Sequence, residues 1–320
     1  MPGILGAWEA LGSNSAGGTA ALFGPRAQPS TVRAPRRQVT ISVAILAFGF
    51  AVAGAVAQFR GGGGGGGPWR RPPTGDGPID RGNVPVWPID KDFTGDVFTF
   101  ARIRYRSSWE RQSLAWYTDY PDADLNLSFR LQQFTSLKVN PNPKLLEFTD
   151  PELFDYPWVF MSGVGNMVID DEEAAALRKY LLNGGFLMVD DFWGEREWES
   201  FYTAIKRVFP DREPEDVPRN HQIFHCLFDI PDTRPLQTPN IRFAIANKNT
   251  GVTWEQPDAK EVHFRAIYDD KRRMMAFICH NTDNGDGWEE EGTDPWFFHT
   301  FSENKNYPLA FNIVYYAMTH

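Results

Sequence analysis

Apolar and polar positions recur at changing intervals along the chain, and each change of interval marks an element. Val97–Tyr105 (VFTFARIRY) alternates at period two and predicts a first strand. Asp122 and Asp124 then offer caps for a helix in which Leu125, Phe129, Leu131 and Phe134 are apolar, reaching about Leu137. Trp158–Met161 is a short apolar run that suits a strand buried on both faces. Asp170 followed by Glu173 makes a capping box, Leu177 and Leu181 fall on one face, and Gly184-Gly185 close that helix. Phe186–Val189 reads as a second buried strand, and Glu197 to about Val208 as an amphipathic helix stopped by Pro210. The run His221–Ile230 looks strand-like. Val262–Tyr268 and Met274–His280 flank Asp269-Asp270-Lys271 as a hairpin, and a last helix starts near Pro308 with Phe311, Val314 and Tyr315 inward. Strands separated by helices predict βαβ units and a mostly parallel sheet in one α/β domain.

The longest apolar run precedes all of these. Residues 39–57 (VTISVAILAFGFAVAGAVA) carry no charge, follow Arg33, Arg36 and Arg37, and end on Ala55-Val56-Ala57, a small-x-small cleavage pattern. That predicts a secretory signal peptide, although 19 residues are also enough for a single transmembrane helix. Residues 1–38 form an unstructured leader and basic n-region, whose positive charge stays on the cytoplasmic side. The expected location of the remainder is periplasmic or otherwise extracytoplasmic, secreted or held by that one helix. Gly61–Gly67 and the prolines Pro68, Pro72 and Pro73 predict a flexible linker over 58–92, ahead of a domain at 93–320.

Charge agrees with this division. The chain carries 32 basic and 41 acidic residues, a net charge of -9. Residues 1–57 hold four arginines and one glutamate, which leaves 28 basic and 40 acidic residues in 58–320 and a net charge of -12 there. An acidic body excludes sequence-independent binding to nucleic acid and confines membrane contact to residues 39–57. The expected partners are envelope proteins or a small ligand.

Chemistry in open parallel sheets gathers beyond the carboxyl ends of the strands. One such end carries Asp190-Asp191-Phe192-Trp193-Gly194, two acids leaving a buried strand together. Adjacent carboxylates can bind a ligand or divide acid and base roles, because each raises the pKa of the other; they can equally cap local backbone amides. A second end carries His280-Asn281-Thr282-Asp283-Asn284-Gly285-Asp286-Gly287. Counted from Asn281, the sixth position is Asp286 and the twelfth Gly292, so the EF-hand pattern fails and an Asx-rich turn is expected. His221 and His225, four apart, are the candidate metal ligands, against a reading as satisfied core histidines. Cys226 and Cys279 can be a disulfide or two buried thiols. Trp109, Trp193, Trp198, Trp288 and Trp296 lie near acids and can line a groove or simply fill the core. No P-loop or G-x-S-x-G elbow occurs, and the Gly61–Gly67 run precedes no strand–helix unit, so no cofactor is expected.

The order FARIRY, WVFMSG, LRKYLLNGGFLMVDDFWG, RVFPD, RNHQIFHC and NIVYYAMTH resembles the bacterial family called domain of unknown function 4159, over about residues 95–320. The resemblance implies an exported or membrane-linked protein. It also implies a fold similar to class I glutamine amidotransferases: a flavodoxin-like, mostly parallel sheet with helices on both faces, here with a C-terminal hairpin and helix. In those enzymes the strand after the helix–Gly-Gly step leads to a nucleophilic cysteine between glycines. Met188–Gly194 holds neither Cys nor Ser, so amidotransfer by a thiol is not expected. His280 and Asp283 are a loose counterpart of the family's His-x-Glu pair. The expectation is a non-catalytic ligand-binding or assembly module with Asp190, Asp191, Trp193 and His280 at the ligand. The alternative is a hydrolase, with or without a metal, that uses Asp190 and Asp191 with His221, His225 or His280.

Overall fold

A computed structural model of the chain describes residues 79–89, 97–108 and 115–320. The leader, the segment 39–57 and most of the expected linker lie outside the described residues. Residues 79–89, also read as linker, run against the domain. Arg81 donates to Asn142 Oδ1 at 2.8 Å and to the Pro141 carbonyl at 2.7 Å, and Trp87 Nε1 donates to the Val139 carbonyl at 2.6 Å. Among the described residues no helix is long and apolar enough to cross a membrane.

In chain order the elements are β1 (Ala101–Ile103), β2 (Arg106–Ser107), α1 (Asp122–Phe134), β3 (Lys144–Leu146), β4 (Trp158–Ser162) and β5 (Met167–Val168). There follow α2 (Asp171–Leu182), β6 (Phe186–Asp190), α3 (Gly194–Val208), β7 (Glu215–Asp216), α4 (Ile241–Ala246), β8 (His263–Tyr268) and β9 (Met274–His280). The chain closes with α5 (Asn284–Glu289), the short α6 (Pro295–Phe297), a π-helical stretch (Phe298–Asn306) and α7 (Tyr307–Thr319).

Seven strands form one sheet in the order β3-β1-β4-β6-β9-β8-β7, in which the first five are mutually parallel and β8 runs antiparallel to β9 and β7. Counting only the parallel strands, the spatial order is second, first, third, fourth, fifth, the flavodoxin-like arrangement. From β1 the chain goes to β3 on one side, then to β4, β6 and β9 on the other. The sheet therefore changes direction between β1 and β4, where ligands of such folds bind.

Alternation of side chains builds a core on each face of this sheet. Phe100, Phe160, Met188, Phe277 and Cys279 point to the face covered by α1, α5 and α7, with Leu127, Trp288 and Val314. Ile103, Val159, Leu187, Val189 and Ile278 point to the face covered by α2 and α3, with Leu177, Leu181 and Ile205. Both faces being buried explains why the strands read as continuous apolar runs. At α2 the capping box is present as expected: Asp170 Oδ1 accepts from the Glu173 amide at 3.0 Å, and Glu173 Oε2 accepts from the Asp170 amide at 2.9 Å.

Several local expectations are corrected. The first strand is only Ala101–Ile103, because its neighbour β3 is three residues long and Phe98 makes just one bridge, to Val139. Neither Asp122 nor Asp124 caps α1. Pro121 occupies that position without a side-chain bond, and Asp124 faces the sheet, fully buried against Arg102 of β1. The helix stops at Phe134 and α3 begins at Gly194, three residues before Glu197. His221–Ile230 contains a 3-10 turn at Gln222–Phe224 in place of a strand, and Tyr315 lies 36% exposed on the outer side of α7. The hairpin β8–β9 is present, but β9 is an interior strand of the sheet, paired on its other edge with β6.

Candidate functional site

The carboxyl edge of the sheet is where β1, β4, β6 and β9 release the chain, and acids from three of those exits gather there. The β1–α1 connection carries Asp119, β6 ends on Asp190 and leads into Asp191, and the turn after β9 supplies Asp283, with Asp286 and Glu289 on α5 that follows. Asp119, Asp191 and Asn281, one at each exit, have left-handed backbones with φ of 64°, 54° and 64°. Asp and Asn reach that region more readily than other side chains apart from glycine.

The six carboxyl groups have different partners. Asp190 is fully buried and holds the start of α5. Its Oδ2 accepts from the amides of Asn284 at 2.7 Å and Gly285 at 2.9 Å, and its Oδ1 from Asn284 Nδ2 at 2.7 Å. Burial raises its pKa to about 7 against the pull of those donors. Asp191 is half-buried, and its Oδ1 accepts from Trp193 Nε1 at 3.1 Å. Burial, followed by the charges of Glu255 and Asp190, pushes it to about 8. Asp283 is the N-cap of α5, accepting from the Asp286 amide at 2.8 Å. Asp286 Oδ2 accepts from the amide of Ile241 at the start of α4.

Oxygens of Asp119, Asp286 and Glu289 all lie within 4.8 Å of one another. Two unit charges about 5 Å apart repel by about 3 kcal/mol at an effective dielectric of about 20, so three ionised carboxylates do not coexist there unaided. Burial first, then the neighbouring acids, holds Asp119, Asp283 and Asp286 well above the ordinary carboxylate range, and Glu289 at about 8.

Among the described residues, the buried basic side chains Arg102 and Lys305 are engaged elsewhere. Arg102 lies beside Asp119, but its Nε donates to both oxygens of Asp124 at 3.1 Å and its Nη1 to the carbonyls of Trp116 and Thr118. Lys305 donates to the Gln237 carbonyl at 3.0 Å, and burial lowers it to about 8. The π-helical stretch ends on Asn306, whose Nδ2 reaches Thr238 Oγ1 at 3.0 Å and Asn284 Oδ1 at 3.1 Å. Wide helical turns of this kind mark positions where a side chain is re-aimed, and Asn306 here braces the residue that Asp190 holds.

Of the residues singled out from sequence, Asp190, Asp191 and Trp193 lie with the acids at this edge; His280 ends β9 at the same edge but on the other face, and His221 and His225 lie elsewhere. The register pairs Val189 with Ile278, so Asp190 shares a face with Cys279 while His280 points to the α2–α3 face. There His280 stacks on Phe192 at 4.8 Å, with Nε2 against the Gly194 carbonyl at 3.1 Å and Nδ1 against Arg265 at 3.3 Å. Burial lowers its pKa to about 4, and the ring is neutral. His221 Nδ1 accepts from the Ile223 amide at 3.2 Å, whereas His225 bonds Asp229 at 2.6 Å and the Arg219 carbonyl at 2.8 Å. Neither joins the acids, so the proposed histidine–aspartate pairings do not form. Cys226 and Cys279 are free thiols, and burial pushes both thiols up. Trp288 is core, packed near Phe160 at 5.6 Å, and Trp198 stacks beside Phe192.

Asp119, Glu289 and Glu255 carry no sequence signal. Asp283 and Asp286 lie in the Asx-rich strand end noted above, but spacing along one segment is the wrong test for acids drawn from three strand exits.

Fold and site together define a flavodoxin-like α/β domain with a cluster of acids at the carboxyl edge of its sheet. The family model described as Domain of unknown function (DUF4159) matches residues 99–318, and the chain belongs to that family. No curated protein matches it.

Proposed function

We propose that this is an exported or membrane-anchored envelope protein whose domain binds a small, positively charged ligand, without amidotransferase chemistry. One observation carries the reading: carboxylates from three strand exits converge at the sheet edge, and among the described residues no arginine or lysine donates a hydrogen bond to them. Asp191, Glu255 and Glu289 are the half-buried members, and Glu255 acts on Asp191 through its charge. A ligand amine or guanidinium beside Asp191 and Glu255 would lower the pKa of both and relieve their mutual repulsion. Against nucleophilic catalysis stands the placement of the reactive groups. Cys279 is fully buried with its thiol pushed up, and no imidazole among the described residues shares a hydrogen bond with Asp190 or Asp191. Export rests on residues 39–57 and the basic residues before them.

The test is a thermal-shift panel on the full-length chain in low salt, comparing polyamines and guanidinium compounds with neutral and anionic compounds of similar size. Cationic members should raise Tm, less so in high salt, and Asp191→Asn should abolish the rise. Stabilisation by none of the cations, or stabilisation untouched by Asp191→Asn, overturns the reading.

A further inference from the structure

We propose that Asp119, Asp286 and Glu289 form a binding site for one hard divalent cation, within the acid cluster at the carboxyl edge of the sheet. The proposal deepens the reading of that cluster as a binding site and rests on it. Three oxygens, one from each residue, lie within 4.8 Å of one another. Calcium takes oxygen ligands at about 2.3–2.6 Å, so oxygens on opposite sides of the ion stand up to about 5 Å apart, whereas magnesium requires about 4 Å. A span of no more than 4.8 Å is within reach of either ion. All three donors are carboxylates, the ligand type that hard cations prefer and that zinc or copper sites dilute with nitrogen or sulfur.

A second observation points to a missing partner. Asp119 is 6% exposed, and its Oδ2 has no hydrogen-bond donor. Buried acceptors are almost always paired, so an orphaned carboxylate oxygen demands an explanation. Gly285 supplies the space: a Cβ there would overlap Asp119 Oδ2. The glycine's own amide is turned away to Asp190, so it offers this oxygen room and no proton. Asp119 is thus aimed from the β1–α1 connection at the face of α5 that presents Asp286 and Glu289, three residues apart and adjacent on a helix. Three protein oxygens leave a calcium ion with positions for water or for oxygen atoms of a ligand.

The rival explanation is that Asp119 and Glu289 merely share a proton. Calcium chloride titrated calorimetrically into the chelator-stripped full-length chain separates the two. One ion should bind per chain and raise Tm. Asp119→Asn and Glu289→Gln should each weaken binding by about 10–100-fold or more. The charge-matched control Asp211→Asn, in an exposed pair with Arg178, should bind as wild type. In chelator, Asp119→Asn should unfold at or above the wild-type temperature, because it removes a buried carboxyl that is costly to ionise; that ordering should reverse when calcium is added. If Asp119→Asn fails to fold, Glu289→Gln carries the same criteria. A folded wild type that takes neither calcium nor magnesium, or calcium binding unchanged in Glu289→Gln, overturns the site. Calcium binding together with a negative ligand panel removes the cationic-ligand reading and leaves the cation site standing.

Discussion

Asp191→Asn should stabilise the ion-free chain, and by an amount that depends on pH. The substitution keeps the side-chain shape, the oxygen that accepts from Trp193 Nε1, and a residue type that tolerates φ of 54°. What it removes is a carboxyl held at about 8 by burial and by the charges of Glu255 and Asp190. The folded pKa is raised, so the folded state holds its proton longer than the unfolded chain does. Below the unfolded value of about 3.9 both states are protonated, and Asp191 contributes nothing to the pH dependence. From there up to about 8 the unfolded chain ionises while the folded one does not, so wild-type stability falls as pH rises. A shift of about 4 units at about 1.4 kcal/mol each would be about 6 kcal/mol for an enclosed group. Asp191 is partly exposed, and screening by solvent reduces this to roughly 2 kcal/mol. Urea unfolding in chelator at acidic, neutral and mildly alkaline pH measures it. The variant and wild type should coincide near pH 4 and separate to roughly 2 kcal/mol, the variant being the more stable, by about pH 8. Parallel pH profiles for the two proteins, or a variant less stable at alkaline pH, would refute the reasoning.

Two further outcomes follow from other buried polar contacts. Arg102 and Asp124 are both fully buried, so Arg102→Leu should cost about 3–5 kcal/mol in urea unfolding, and Arg102→Leu with Asp124→Leu should recover most of it. A loss below about 1 kcal/mol in the single variant would mean that Asp124 is neutral without its partner. Asn312 on α7 accepts from the amides of Leu227 and Phe228 at 3.0 and 2.8 Å and donates to the Phe228 carbonyl at 2.8 Å. Asn312→Ala should therefore cost about 2–4 kcal/mol and speed the reaction of half-buried Cys226 with a thiol reagent, while an unchanged thiol rate would show the segment held by other contacts.

How far the sequence could be read depends on how local each cause is. The start of α2 is written within four residues: Asp170 and Glu173 close their reciprocal bonds whatever the rest of the chain does. The strands were readable because burial on both faces leaves uninterrupted apolar runs such as Phe186–Val189. Asp124 shows the limit, since as a sequence feature it looks like a helix cap, and only the distant Arg102 makes it a buried ion partner. His280 and Asp190 show the same limit at the site. Both end strands at the same edge, and nearness to that edge suggested a pair. Parity decides otherwise: with Val189 opposite Ile278, Asp190 and His280 fall on opposite faces, one among acids under α5 and the other among aromatics under α3. Asp119 has no periodic pattern around it, yet the change of direction between β1 and β4 brings the β1–α1 connection over the same edge. A cluster of this kind is assembled by topology and register. The residues that form it are found by asking which faces the strand exits share, a question that spacing along a single segment does not pose.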